Sequence, residues 1–105
     1  MKRALTFSLL LSANILVAGD WPEFRGPDAQ GDAGAVNLPV EFGPGKNLKW
    51  KVAVPGAGWS SPGIVDGRIY LTTANVRDAG LSLAALCLDA RTGRMVWNQT
   101  LFSVI

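Results

Sequence analysis

The stretch Leu86-Cys87-Leu88-Asp89-Ala90-Arg91-Thr92-Gly93-Arg94-Met95-Val96-Trp97 decides the fold. It opens on three small or medium apolar residues and breaks at Asp89. The side chains of Asp89 and Thr92 are placed to accept hydrogen bonds from nearby backbone amides. Gly93 supplies the left-handed conformation that a reversal needs. Residues 94–102 then resume as a strand carrying Trp97. The unit is therefore strand, short turn, strand, and a turn this tight makes the two strands antiparallel neighbours.

The same grammar holds upstream. Asp66-Gly67 stands between Ile64-Val65 and Ile69-Tyr70-Leu71, and Asp-Gly favours the positive backbone angles of a two-residue type I′ hairpin. Strands are expected over residues 59–65, 68–74, 81–89 and 94–102, with Pro62 near the start of the first, where a missing donor is tolerated. Residues 75–80 read as a polar loop. Residues 81–88 also suit a helix, because they contain few β-branched side chains. Four consecutive antiparallel strands with short connections match one blade of a β-propeller.

Before this unit, Leu48, Trp50, Val52 and Val54 alternate with Lys49, Lys51 and Ala53, the period of a strand with one buried face. Residues 55–58 turn the chain. Residues 20–47 are rich in glycine and proline and lack either periodicity, so they read as an irregular lead-in. Within it Trp21, Pro22, Phe24, Arg25, Gly26 and Pro27 form an aromatic cluster suited to packing on a larger body. Gly45-Lys46-Asn47-Leu48-Lys49-Trp50 partly repeats Gly93-Arg94-Met95-Val96-Trp97, and the two tryptophans lie 47 residues apart. That spacing suits a four-stranded repeat.

The chain opens with Met1-Lys2-Arg3 and an apolar run to Ala18, the pattern of an export signal over residues 1–19 and too short for a comfortable membrane span. Val17 and Gly19 at the small-residue positions predict cleavage between Gly19 and Asp20. The product would be periplasmic or secreted, without a stable membrane span. Of ten Lys and Arg, two belong to this signal, which leaves eight against eight Asp and Glu. The basic character of the full chain thus gives no support for nucleic-acid binding.

Histidine is absent and Cys87 is the sole cysteine. Those two facts exclude an intramolecular disulfide, a cysteine zinc cluster and the Ser-His-Asp and Cys-His pairs. Gly43-Pro44-Gly45-Lys46 lacks the first glycine and the following Ser or Thr of a phosphate loop, and Gly56-Ala57-Gly58 lacks the third glycine of a dinucleotide fingerprint. Asp28-Ala29-Gln30-Gly31-Asp32 lacks the ligand alternation and distal Glu of a calcium loop. Trp59, Ser60 and Ser61 form the candidate binding group, an aromatic beside two hydroxyls at the start of a blade. With no evident base, the serines are poor nucleophiles, and bonding within the blade is their ordinary role. Cys87 reads as a small buried filler. Asn98-Gln99-Thr100 fits a glycosylation sequon, relevant only to a eukaryotic secretory route.

Residues 86–97 closely resemble the tryptophan-docking repeat of pyrroloquinoline-quinone-type (quinoprotein-like) β-propellers, Ala-Leu-Asp-Ala-x-Thr-Gly-x-x-x-Trp, with Cys87 in place of the frequent Ala. Residues 59–71 are similar to the Ser-Pro-x-x-x-Asp-Gly-x-x-Tyr hairpin of those repeats, and residues 20–27 to the mature start of secreted planctomycete propellers. The resemblance implies an all-β fold: a lead-in at 20–47, then a partial propeller at 48–105 with a ring-closing strand at 48–54 and one blade at 59–102. It implies that Asp89, Thr92, Gly93 and Trp97 carry the repeat motif, with Trp97 wedged against a neighbouring blade, and that residues 59–61 sit near the rim of a channel. The partners implied are the missing blades of a longer parent, plus an unidentified ligand or protein. Such a chain is expected to be an N-terminal fragment of an exported scaffold or binding protein, without catalysis of its own. Two alternatives are a piece of a quinone-dependent oxidoreductase and a piece of an envelope assembly factor. Quinone and calcium follow from the family name alone, because the adjacent-cysteine pair that grips the quinone is absent here.

Overall fold

A computed structural model of the chain describes residues 19–34, 37–77 and 80–104. The expected export signal lies, but for Gly19, outside them. The described residues form one open antiparallel sheet of four strands in sequence order, with no helix among them. Its strands are β1 (Gly63–Val65), β2 (Arg68–Arg77), β3 (Gly80–Asp89) and β4 (Met95–Val104). The helical option for residues 81–88 is thus excluded. Pairing with β2 on one side and β4 on the other overrides the weak strand preference of the leucines and alanines in β3.

Asp66 (φ 49°) and Gly67 (φ 71°) both adopt positive φ, as a type I′ turn requires. The next hairpin differs from expectation. Asn75, Val76 and Arg77 stay in the ladder opposite Ser82, Leu81 and Gly80. The polar loop expected over residues 75–80 is therefore mostly strand, since a ladder already zipped from the Asp66 end gains two bonds at every second cross-strand pair it orders. The last strand likewise extends to Val104, paired with Leu81.

The first strand is shorter than expected. Only residues 63–65 join the ladder, while Ala57 makes a separate antiparallel bridge to Ala74. The stretch from Ala57 to Gly63 is two residues longer than the part of β2 facing it, Tyr70 to Ala74. The surplus bulges out where Pro62 has no amide to donate. Residues 48–54 are expected as the closing strand of a blade outside this sequence. They pair with no strand among the described residues. The outer edge of β1 is already occupied by Trp21, which exchanges two backbone bonds with Ile64 (2.8 and 2.7 Å).

Register assigns the sheet two faces, because residues directly opposite one another point to the same side. Ile69, Leu71 and Thr73 share a face with Leu88, Leu86 and Ala84. Leu86 is fully buried, and Ala84, Leu88 and Thr73 nearly so. The chain itself supplies the cover. Trp50 donates from its indole Nε1 to the carbonyl of Ala90 (3.0 Å), and Thr73 donates from its hydroxyl to the carbonyl of Pro55 (2.7 Å). Residues 50–55 thus run from the Ala90 end of the sheet to the middle of β2. The other face carries Tyr70, Val76, Leu81, Leu83, Trp97, Phe102 and Val104, and all of these remain substantially exposed.

Candidate functional site

The repeat-motif residues meet at one end of the sheet. Asp89 Oδ1 accepts from the amides of Arg91 (2.8 Å) and Thr92 (3.1 Å), and Thr92 Oγ1 accepts from the amide of Arg94 (3.3 Å). Gly93 donates to the Asp89 carbonyl (2.8 Å), and Asp89 donates to the Arg94 carbonyl (2.8 Å). The two amide bonds hold the Asp89 carboxyl below its ordinary range, because they favour the charged form. Gly93 has φ +74°, and a Cβ on it would lie 2.5 Å from the Trp50 ring. The position therefore demands glycine twice over, for its backbone angle and for the indole laid on it.

Two further contacts fasten the hairpin turn beside it, one to this turn and one to the lead-in segment. Ala90 donates to the Gly67 carbonyl (2.9 Å), and the Asp66 amide donates to Asp20 Oδ1 (3.0 Å). An open groove of about 820 Å³ results, lined by Asp20, Lys49, Asp66, Asp89 and Arg91 among others. Three carboxylates and two cations line it, so it has little net charge. Asp89 and Asp20 already use an oxygen each on backbone amides, which makes the arrangement a fastening between turns. Among the described residues no cluster of acids, cysteines or histidines suits a metal ion.

Trp97, the remaining motif residue, sits apart from the turn on the uncovered face. It stands opposite Cys87, and Cys87 stands opposite Tyr70. The Tyr70 and Trp97 rings flank the cysteine with centroids 6.2 Å apart, tilted by 50°, a favourable aromatic geometry. Cys87 is completely buried between them, in keeping with a packing role. Trp97 keeps 40% of its surface exposed, and among the described residues its aromatic partner is Tyr70.

The candidate binding group divides. Trp59, at 105% relative exposure, is extruded by the bulge and touches little. Ser60 is half-buried, and its Oγ accepts from the Thr72 amide (3.1 Å), tying the bulge to β2. Both line a smaller groove of about 270 Å³ with Thr72, Leu83 and Leu101. Ser61 is exposed and does not line it. The Ser60 hydroxyl is thus engaged in structure, and among the described residues no base lines the grooves beside it.

Sequence reasoning missed the part played by Trp50. The strand pattern around it did not disclose that its indole closes over the Asp89 turn. The repeat spacing signalled kinship between Trp50 and Trp97, but not which turn the first would cover. The docking of Asp20 on the Asp66 amide was also illegible, since a single carboxylate 46 positions away leaves no local pattern.

No protein-family model matches the chain, and no curated protein matches it.

Proposed function

We propose that the chain is one blade, with its lead-in, of an exported propeller-type scaffold or binding protein, and that it carries no catalysis of its own. The observation behind this reading is the unlike treatment of the two sheet faces. One is covered from within the chain, while the other presents seven sizeable apolar side chains, Trp97 at 40% exposure among them. Scattered apolar residues on a surface need no explanation, but a contiguous set on one rigid face marks an interaction surface. A neighbouring four-stranded blade has the shape to cover it, since sheets pack face to face about 10 Å apart. The Asp89 turn and the Trp97 motif support the quinoprotein-like repeat as the source of that neighbour. The binding surface for an outside ligand is then the bulge at residues 59–61, which lies at the start of the blade. The basic and apolar run before Asp20 supports export to the periplasm or medium.

Peptide mass spectrometry on the native polypeptide tests this, after capture from the cell envelope with an antibody to the described sheet. The expected product begins at Asp20 and yields, on the same polypeptide, further Asp-x-x-Thr-Gly-x-x-x-Trp peptides. A product beginning at Met1, or one holding no second repeat, sinks the respective half of the proposal.

A further inference from the structure

The lead-in is fastened to the sheet from Asp20 onward, the residue that follows the expected cleavage point. Trp21 exchanges two backbone bonds with Ile64 (2.8 and 2.7 Å). Continued by two residues, an antiparallel ladder would bring the Asp66 amide to the Gly19 carbonyl. That amide donates instead to Asp20 Oδ1 (3.0 Å). The Asp20 side chain thus takes the place of the backbone before it, and the pairing needs nothing from Gly19. We infer that cleavage between Gly19 and Asp20 creates an α-ammonium that settles among the carboxylates of Asp20, Asp66 and Asp89 and latches the lead-in onto the two turns. The inference rests on the export reading given above.

Hydrolysis of the Gly19–Asp20 bond by an export peptidase consumes one water, leaves a carboxylate on Gly19 and frees the amine of Asp20. That amine holds a proton at neutral pH. Its place is fixed from both sides. The Trp21–Ile64 bonds hold the backbone after Asp20, and the bond to the Asp66 amide holds its side chain. Gly19 and Asp20 both line the groove shared with Asp66, Asp89, Lys49 and Arg91, so the nitrogen that joins them lies at the groove wall.

Charge decides whether an ammonium is stabilised there. The groove takes Asp20 from the lead-in, Asp66 from the first hairpin turn, Asp89 and Arg91 from the second, and Lys49 from the segment before the sheet. In the precursor these side chains leave one negative charge in excess. Processing adds one positive charge and balances the groove. The surrounding carboxylates favour the protonated amine. An uncleaved chain has a neutral peptide nitrogen at that point, whereas the cleaved chain has a charge-assisted donor. The latch therefore closes only after export.

Reductive methylation with carbon-13 formaldehyde, followed by NMR titration of the α-dimethylammonium signal, tests this on the full native polypeptide. Removing an N-terminal fusion sets the start at Asp20, whatever cells do with the signal. The midpoint is expected above that of the free, equally methylated peptide of residues 20–22, which carries the same Asp20 carboxylate. Asp66→Asn should lower it, and Asp89→Asn as well, whereas Asp32→Asn, outside the groove, should leave it in place. Asn suits the positive φ of a type I′ turn as Asp does, and at position 89 it still accepts from the same amides, so both variants keep their turns. A midpoint equal to the peptide's, or one that Asp66→Asn and Asp89→Asn lower no further than Asp32→Asn, overturns the inference. Where cells cut the chain is read separately, from the amino terminus of the captured product, so the two proposals fail separately.

Discussion

The two faces of the sheet are made from the same three long strands, yet one is a finished core and the other is not. On the Leu86 side, Ala84, Leu86 and Leu88 of β3 and Thr73 of β2 are buried, and residues 50–55 lie over them. On the Trp97 side the aromatic pair shields Cys87 alone, and the larger apolar side chains beyond it meet solvent. The difference is one of supply. A sheet has two faces to cover, and a short irregular segment can lie over one of them. The lesson is that a sheet can be complete in hydrogen bonding while only half complete in burial. Hydrogen bonds close within the unit; apolar burial does not.

The comparison breaks most sharply at Trp97. In a polypeptide that includes the neighbouring blade, Trp97→Ala should cost about 3–5 kcal/mol, the range for emptying a buried aromatic site. In the present chain the same change should cost less, because part of the indole is already wet. Urea unfolding of both proteins at a fixed concentration measures the pair of values. A cost below about 1 kcal/mol in the longer polypeptide, the range of surface substitutions, would mean that no blade covers this residue.

Leu86→Ala probes the covered face and should cost about 2–5 kcal/mol in this chain. If Leu86→Ala proved no worse than Leu83→Ala, the claimed contrast between faces would be lost. Gly93→Ala comes next. It forces an L-residue to positive φ and drives a methyl into the Trp50 ring, at a cost of at least about 1–2 kcal/mol for the backbone alone. Trp50→Ala should relieve the steric part, so the two changes are expected to be less than additive in a double-mutant cycle.

Asp89 gives the smallest effect and one with a definite sign. Its folded carboxyl titrates below the ordinary value, so its contribution is present above the ordinary carboxylate range. It fades as pH falls through the depressed folded value. Asn at this position still accepts from the same amides but carries no charge. Stability against pH from 7 to 2 should therefore show the native chain losing ground to Asp89→Asn as the acid is protonated. A constant difference across that range would remove the carboxylate's charge from the account of the turn.

The turns were the most legible part of the molecule, because each rests on residues within five positions of one another. Asp66-Gly67 and Asp89 to Gly93 formed as expected, since Gly and the Asp side chain act on their own local backbone. Strand lengths were less legible. The ladder ran past Ala74 to Arg77 because a long partner in β3 rewarded it, although Asn75 and Arg77 read locally as loop. Residues 59–62 lost their expected ladder for a converse reason, the two surplus residues that had to bulge beside β2. The candidate site suffered most. Trp59, Ser60 and Ser61 were adjacent in sequence, but the bulge exposed the first, tied the second to Thr72 and left the third free.

By itself, then, the sequence determined a run of antiparallel strands, the chemistry of their two tight turns, and the absence of histidine- or disulfide-based chemistry. Those depend on short-range backbone preferences and on composition, which no fold can alter. Only the tertiary structure decided that residues 50–55 lie on a face instead of joining an edge, that Trp21 and Asp20 occupy the rim of β1, and that Trp97 is covered on one side. Each of these turns on which of several equally apolar segments reaches a given surface first and fits it. Burial is non-directional, so local pattern marks a residue as wanting cover without saying what will provide it.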